Sequence, residues 1–298
     1  MSFSSDTKYE ICQSKIKNKC CKDALLYGLI LFAQTVSDDI LKITTENVVA
    51  INLLNKLSNE VCSVNFSIDE NLNSYYAYVE GDRLEKIYDK FFIRVNNAID
   101  HSISAVITEN TCCKFAFLKG AFLAAGYVSN PSSRYHFEIS TPYYTVAKNL
   151  NKLLNDLNFN AKTVVRKSNY IVYMKESESI ERFLCSIGAN SAAFSFMDAK
   201  IYKEMRNYSN RVSNTKLHNI EKTLNKSVEQ VKAIEIIEKN IGLDSLDDDL
   251  KQIAKLRVDN PDKSLNELVA LSSNAFSRSG LNRKLKKLIE ISQTIGEN

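Results

Sequence analysis

The chain has no long apolar run: in its 298 residues the longest is Ala24 to Ala33, and the corresponding stretch further on is interrupted by Lys119. A membrane span needs about 20 consecutive apolar residues, so no membrane anchor is expected. The start, Met1-Ser-Phe-Ser-Ser-Asp6, lacks the basic and apolar regions of an export signal. The protein is expected to stay in the cytoplasm. Cysteine is odd in number, seven, which without an export signal excludes a closed disulfide framework and predicts reduced thiols. A large charge imbalance is missing too, since the formal net charge is only +4. What matters is where the charges lie. The chain is 44% hydrophobic, enough to bury the core of one duplicated domain and a smaller one.

Two stretches, Cys20 to Ser37 (CCKDALLYGLILFAQTVS) and Cys112 to Ser129 (CCKFAFLKGAFLAAGYVS), repeat one another at an offset of 92 residues with ten of eighteen positions identical. Their apolar and small residues recur at three and four, so each predicts a helix. Cys21, Ala24 and Gly28 fall on one stripe of the first, and Cys113, Ala116 and Gly120 on one stripe of the second. Small residues at that spacing let two helix backbones approach closely, so the stripes should meet about a pseudo-two-fold axis.

The segments after the two motifs are duplicated as well. The first motif leads into a strand-like run (Ile40 to Thr45), an amphipathic helix (Asn47 to Leu57), two strands (Val61 to Ile68, Tyr75 to Val79) and a helix from Asp82 to about Arg94. The second leads into Tyr135 to Ser140, Tyr143 to Leu157, Ala161 to Arg166, Tyr170 to Lys175 and Ser177 to Ile187, in the same order. The offset of 92 sets Tyr78-Val79 on Tyr170-Ile171 and Phe91-Phe92 on Phe183-Leu184, although the intervening helices slip by four. This order predicts an α+β domain over 1–197, with repeats at about 20–100 and 111–197, each an antiparallel sheet covered by helices.

Strand signals stop at Asp198. A basic connector over 198–226 carries seven Lys and Arg against three acids and leads toward a helix at Ile234 to Asn240, ended by Gly242. An all-α domain is expected over 227–298. Leu246 to Val258 is a helix with Asp247, Asp248 and Asp249 in its first turn, where the helix dipole favours acids. Ser264-Leu-Asn-Glu267 is a capping box opening a helix to Leu271, and Ser277 can cap a last helix to about Gln293. A short helix, a tight turn and a basic helix make a helix-turn-helix candidate.

In that last helix Leu281, Leu285, Leu288 and Ile289 define the core side, leaving Ser279, Arg283, Lys286 and Lys287 outward with Arg278, Asn282 and Lys284 beside them. No acid occurs before Glu290. A merely solvated face normally mixes signs, whereas Arg and Asn near a helix start can read guanine and adenine edges and Lys can hold phosphates. Candidate DNA-binding residues are therefore Ser277, Arg278, Ser279, Asn282, Arg283, Lys284, Lys286 and Lys287. In the connector, Arg206, Asn210, Arg211, Asn214 and Lys222 are candidate phosphate contacts, as good donors to backbone oxygens. Gly280 is either a tolerated helix glycine or a close-approach position.

The segments Leu26-Tyr-Gly-Leu-Ile-Leu-Phe-Ala33-Gln34 and Leu118-Lys-Gly-Ala-Phe-Leu-Ala-Ala125-Gly126 resemble the LAGLIDADG motif of homing endonucleases. In those enzymes an acid near the motif's end binds the metal that cleaves DNA, and here Ala33 and Ala125 stand in that place. Without carboxylates there, no two-metal site of the usual kind forms. A narrower resemblance runs through Met1-Ser-Phe-Ser-Ser5, Thr45-Glu-Asn47, Tyr135-His-Phe-Glu-Ile139, Ile187-Gly-Ala189, Lys203-Glu-Met-Arg-Asn207, Asn260-Pro261, Ser264-Leu-Asn-Glu-Leu268 and Ser277-Arg-Ser-Gly-Leu-Asn282. In order and over nearly the whole chain, these resemble the bacterial WhiA family. The chain departs from that family's pattern at Arg283-Lys284, where His-Arg is usual, and at His218, where Ala is common.

The resemblance implies a catalytically degenerate LAGLIDADG-like domain joined to a C-terminal helix-turn-helix. It also implies roles in sporulation-associated transcription or in cell division and chromosome segregation, by a nucleoid-associated protein. A non-enzymatic, sequence-specific regulator whose partner is double-stranded DNA is the leading expectation, with a partner transcription or cell-division protein besides. The alternative is a protein-interaction factor with incidental DNA affinity. Lys119 and Arg134 could line a cationic saddle, though Glu138 lies close by. Four cysteines at equivalent ends of two helices could bind zinc, but adjacent Cys-Cys lacks the usual two to four intervening residues, so they read as small buried thiols. His101, His136 and His218 are isolated. No catalytic residue, metal or cofactor is expected.

Overall fold

The computed structural model describes residues 2–71, 74–92, 94–95, 98–273 and 275–296, and the chain divides into two compact units, Met1–Lys203 and Glu204–Asn298. Ser2 opens helix α1 (Phe3–Gln13) by accepting the Ser5 amide at 3.2 Å. Its inward positions are Ser4, Thr7 and Ile11. Two of the three are hydroxyls, so no apolar stripe betrays this helix in the sequence.

The duplicated motifs form α2 (Lys19–Leu31) and, after one full repeat, its twin. Between them come β1 (Thr35–Val36), β2 (Ile40–Thr45), α3 (Val48–Cys62), β3 (Ser67–Asn71), β4 (Ser74–Glu80), α4 (Asp82–Phe91) and a short hairpin, β5 (Arg94–Val95) with β6 (Ala98–Ile99). The twin, α5 (Thr111–Ala125), is followed by β7 (Gly126–Val128), β8 (Phe137–Thr141), α6 (Tyr144–Asp156), β9 (Lys162–Arg166), β10 (Asn169–Met174) and α7 (Ser177–Ser186). The two sheets have the same antiparallel order, β1-β2-β4-β3 and β7-β8-β10-β9. One expected boundary is wrong. The strand expected from Val61 starts only at Ser67, because Val61 and Cys62 complete the last turn of α3, which Ser63 ends in the left-handed region at φ 54°.

Strand pairing corrects the alignment of the repeats. Leu41, Ile43 and Thr45 face Val79, Ala77 and Tyr75, while Phe137, Ile139 and Thr141 face Met174, Val172 and Tyr170. Val79 is thus equivalent to Met174, not to Ile171, which lies on the opposite face because strand residues alternate. The inward residues of α4 and α7 agree: Leu84, Ile87 and Tyr88 answer to Ile180, Phe183 and Leu184. The offset of 92 holds only within the helical motif, and the longer connection from β7 to β8 adds about one helical turn's worth of residues thereafter.

Both α2 and α5 are buried on almost every side beyond their first turn, as helices wrapped by sheets must be. They touch backbone to backbone at Gly28 and Gly120. A Cβ on Gly28 would lie 2.2 Å from the Phe117 carbonyl oxygen, and one on Gly120 would lie 2.2 Å from that of Leu25. The predicted small-residue stripes therefore do meet. The cysteine pairs lie together at one end, and Ala33 and Ala125 line one cavity at the other, so the helices run in the same direction.

One helix, α8 (Asn190–Asn240), spans the stretch in which the sequence separates a basic connector from a helix at Ile234. Its end is as expected, with Gly242 at φ 76° and its amide donating to the Ile237 carbonyl at 3.1 Å. In the second unit Ile234 and Ile237 of α8 pack with Leu250, Ile253 and Ala254 of α9 (Asp248–Asp259), Leu268 of α10 (Leu265–Leu271) and Leu281, Leu285 and Leu288 of α11 (Arg278–Gly296). Ile289, expected in this core, is only half-buried.

Candidate nucleic-acid interface

The turn that delivers α11 is built from three local devices. Ser264 accepts the Glu267 amide while the Glu267 carboxylate accepts the Ser264 amide at 2.7 Å, the capping box read from the sequence. The hydrogen bonds from Ser264 hold the Glu267 carboxyl below the usual carboxylate range. Ser277 then caps α11 by accepting the Gly280 amide at 3.1 Å. A Cβ on Gly280 would meet only that same Ser277 oxygen, at 3.1 Å, so this glycine leaves room for the cap. The third device is Arg257, 2% exposed. Its Nη1 donates to the Lys263 carbonyl at 2.8 Å, to the Asn260 carbonyl at 3.2 Å and to Ser227 Oγ at 3.2 Å. One buried guanidinium thus ties α8 to both ends of the α9–α10 connection. It sits at helical spacing from Leu250, Ile253 and Ala254, a signal in the sequence that periodicity with charge excluded overlooks.

Leu281, Leu285 and Leu288 anchor α11, which leaves Ser277, Arg278, Ser279, Arg283, Lys286 and Lys287 exposed and Asn282 half-buried. The face is less purely cationic than the helix's own sequence. Asp247, Asp248 and Asp249, from the start of α9, share a pocket of about 710 Å³ with Arg283, Lys284, Lys286, Lys287 and Glu290. Lys284 is ion-paired with Asp249 and lies over the Phe276 ring at 5.0 Å, and Lys287 stands 3.9 Å from Asp247. Lys284, a candidate DNA contact beside the outward face, is thus already paired with an acid 35 residues away in sequence. Among the described residues of this face, Arg278, Arg283 and Lys286 are not ion-paired with an acid.

Arg206, Asn210, Arg211, Asn214 and Lys222 are all exposed on α8. At 3.6 residues per turn they occupy a sector of roughly 160°. The surface is not uniformly polar, because Ile201, Met205, Tyr208, Leu217, Ile220 and Leu224 are exposed on the same helix.

The first unit offers less to an anion. Lys119 is buried, donates to Ser14 Oγ and is pushed below its ordinary pKa by desolvation, so it cannot line a saddle as expected. Arg134 is exposed. Glu138 accepts from Arg166 at 2.7 Å and sits 2.8 Å from His136 Nε2. Burial raises its carboxyl pKa, but these two partners outweigh burial and hold it below the usual range.

Where a nuclease of this scaffold would hold its metals, Ala33 and Ala125 line a cavity of about 440 Å³ with Gln34, Thr44, Ser140 and Asn169. None of the residues lining it is acidic. At the opposite ends of the helices, the Sγ atoms of Cys20, Cys21, Cys112 and Cys113 lie within 4.8 Å of one another. The reading of these cysteines as small buried thiols fails for Cys20 and Cys112, which are exposed. Spacing along the chain misleads here, because the pairs come together across two helices.

Comparison with known proteins gives two matching family models: the WhiA LAGLIDADG-like domain over residues 114–206 and the WhiA C-terminal HTH domain over 209–292. A protein named "Probable cell division protein WhiA" from Ruminiclostridium cellulolyticum is 34% identical over 310 residues, covering 100% of this chain and 99% of its own. One of the same name from Thermoanaerobacter sp. is 36% identical over 321 residues, again covering 100% and 99%. The crystal structure of full-length DUF199/WhiA from Thermatoga maritima has the same fold, with a TM-score of 0.60 over 99% of both chains at 23% identity.

Proposed function

The chain belongs to the WhiA family, and from that premise we propose that it is a sequence-specific double-stranded-DNA-binding regulator acting in cell division, without nuclease activity. The observation that carries this reading is the outward face of α11. A capped, rigidly seated helix presents Arg278, Asn282 and Arg283 near its start, where a recognition helix meets base edges, with Lys286 one turn on for phosphate. Arg206, Asn210, Arg211, Asn214 and Lys222 add donors that hold the backbone without reading sequence. The tie to cell division rests on the relatives' names, and a role in transcription, chromosome segregation or sporulation rests on the family resemblance alone. The lack of a carboxylate at Ala33, Ala125 or elsewhere around their cavity supports a scaffold without hydrolytic chemistry.

A reading as a protein-interaction factor draws on the exposed Ile201, Met205, Tyr208, Leu217, Ile220 and Leu224 of α8. Selection from a random duplex pool by the full-length protein separates the two. Enrichment of one motif supports DNA reading, while salt-sensitive binding without enrichment supports incidental affinity. Magnesium-dependent nicking of the selected duplex would overturn the non-enzymatic assignment.

A further inference from the structure

Two adjacent cysteines open α2 and two open α5, as the second and third residues of each helix. The Cys112 and Cys113 sulfurs are 3.9 Å apart, and all four Sγ atoms fall within 4.8 Å of one another. Tetrahedral zinc thiolate, with Zn–S bonds of about 2.3 Å, needs sulfurs about 3.8 Å apart. Drawing the four onto one ion therefore moves each by only about half an ångström. A two- or four-iron cluster, with sulfides between its metals, needs its cysteine sulfurs spread more widely. We propose that Cys20, Cys21, Cys112 and Cys113 form a tetrathiolate site for one zinc ion, which clamps the N-terminal ends of α2 and α5 across the pseudo-two-fold axis.

The helix ends suit this site. Asn18 and Asn110 stand at the N-cap positions, yet neither side chain makes a capping hydrogen bond. First-turn amides left without a cap donate to negative charge, and both helix dipoles point their positive ends at the sulfurs. These are what a zinc tetrathiolate of net charge −2 requires. Loading one Zn²⁺ onto the four thiols forms four Zn–S bonds, breaks four S–H bonds and releases the four protons to solvent. With all four positions filled by protein, the site is closed and structural, holding together the end of the helix pair opposite the Ala33–Ala125 cavity.

The test uses the full-length chain, carrying no metal-binding tag and purified under reducing conditions without chelator. Elemental analysis is expected to give one zinc per chain, and cobalt(II) exchanged into the site should show the intense visible absorption of tetrahedral thiolate coordination. Cys20→Ser with Cys112→Ser should drop zinc at least tenfold, whereas Cys185→Ser, at an exposed cysteine outside the cluster, should keep it. The cobalt spectrum of the unmutated protein keeps the test valid if the double variant does not fold. The proposal is overturned by less than a tenth of a zinc per chain after incubation with zinc and dialysis. It is equally overturned by a chain mass showing disulfides among these four cysteines, or by iron with acid-labile sulfide.

Discussion

Replacing Gly28 by alanine should unlatch the two central helices. The new methyl would sit 2.2 Å from the Phe117 carbonyl oxygen and 3.0 Å from the Ala121 amide nitrogen, both of them backbone. No side chain can swing away, so α2 and α5 must part by about 1 Å to restore ordinary contact. A gap of that size forfeits a quarter to a half of each dispersion contact along the seam, where Leu25, Leu29, Phe117 and Ala121 are all buried. Overpacking alone costs about 1–3 kcal/mol, and with the opened seam we expect about 3–5 kcal/mol. For a unit of this size, at about 2–4 °C per kcal/mol, the first unit's thermal transition should fall by about 6–20 °C. Differential scanning calorimetry is the suitable assay, since the chain has no tryptophan. Gly120→Ala, which meets the Leu25 carbonyl at the same 2.2 Å, should cost as much alone but little on top of Gly28→Ala, because the helices have already parted. A transition within about 1 °C of the unmutated protein, or fully additive losses, would refute the backbone-contact reasoning.

Three further outcomes are expected. Arg257→Met should destabilise the second unit by about 3 kcal/mol in calorimetry, because the Asn260 and Lys263 carbonyls lose their donor, and Arg257→Lys should not rescue it, since the lysine ammonium ends one bond short of Nη1, the nitrogen that meets all three acceptors. Lys284→Ala should weaken DNA binding much less than Arg283→Ala in a fluorescence anisotropy titration, because Lys284 is already paired with Asp249; equal losses would contradict the pairing. Glu138 titrates below the usual carboxylate range, so its stabilisation is present above the unfolded carboxyl value and is lost as pH falls through the lowered folded one. Arg166→Ala should move the Glu138 carboxyl NMR titration upward and make acid unfolding begin at higher pH.

The duplicated helices were legible because their identities fall on the packed stripe: Gly28 and Gly120 are forced by a backbone contact, and such a constraint writes itself into the sequence. Helix caps were legible for the same local reason, and Ser264, Glu267, Ser277 and Gly242 all act where their residue types suggest. What escaped depends on residues distant in the chain. The aspartates that occupy Lys284 and approach Lys287 come from another helix, so the charge pattern of α11 alone could not show them. The four-sulfur cluster joins cysteine pairs from separate repeats, invisible to any rule about spacing within one segment. Helix α1 turns hydroxyls inward, and the register slip after β7 leaves local similarity intact while shifting every later partner.

The most direct test of α11 as the reading element is the salt dependence of binding to the selected duplex by the full-length protein and its Arg278→Ala/Arg283→Ala variant. Lost base contacts at about 1–3 kcal/mol each predict at least a tenfold weaker Kd for the selected motif, with binding to unrelated duplex far less affected and a salt slope reduced by no more than about 2. A variant that still prefers the motif by the same factor as the unmutated protein would contradict the account and move the reading of DNA away from this helix.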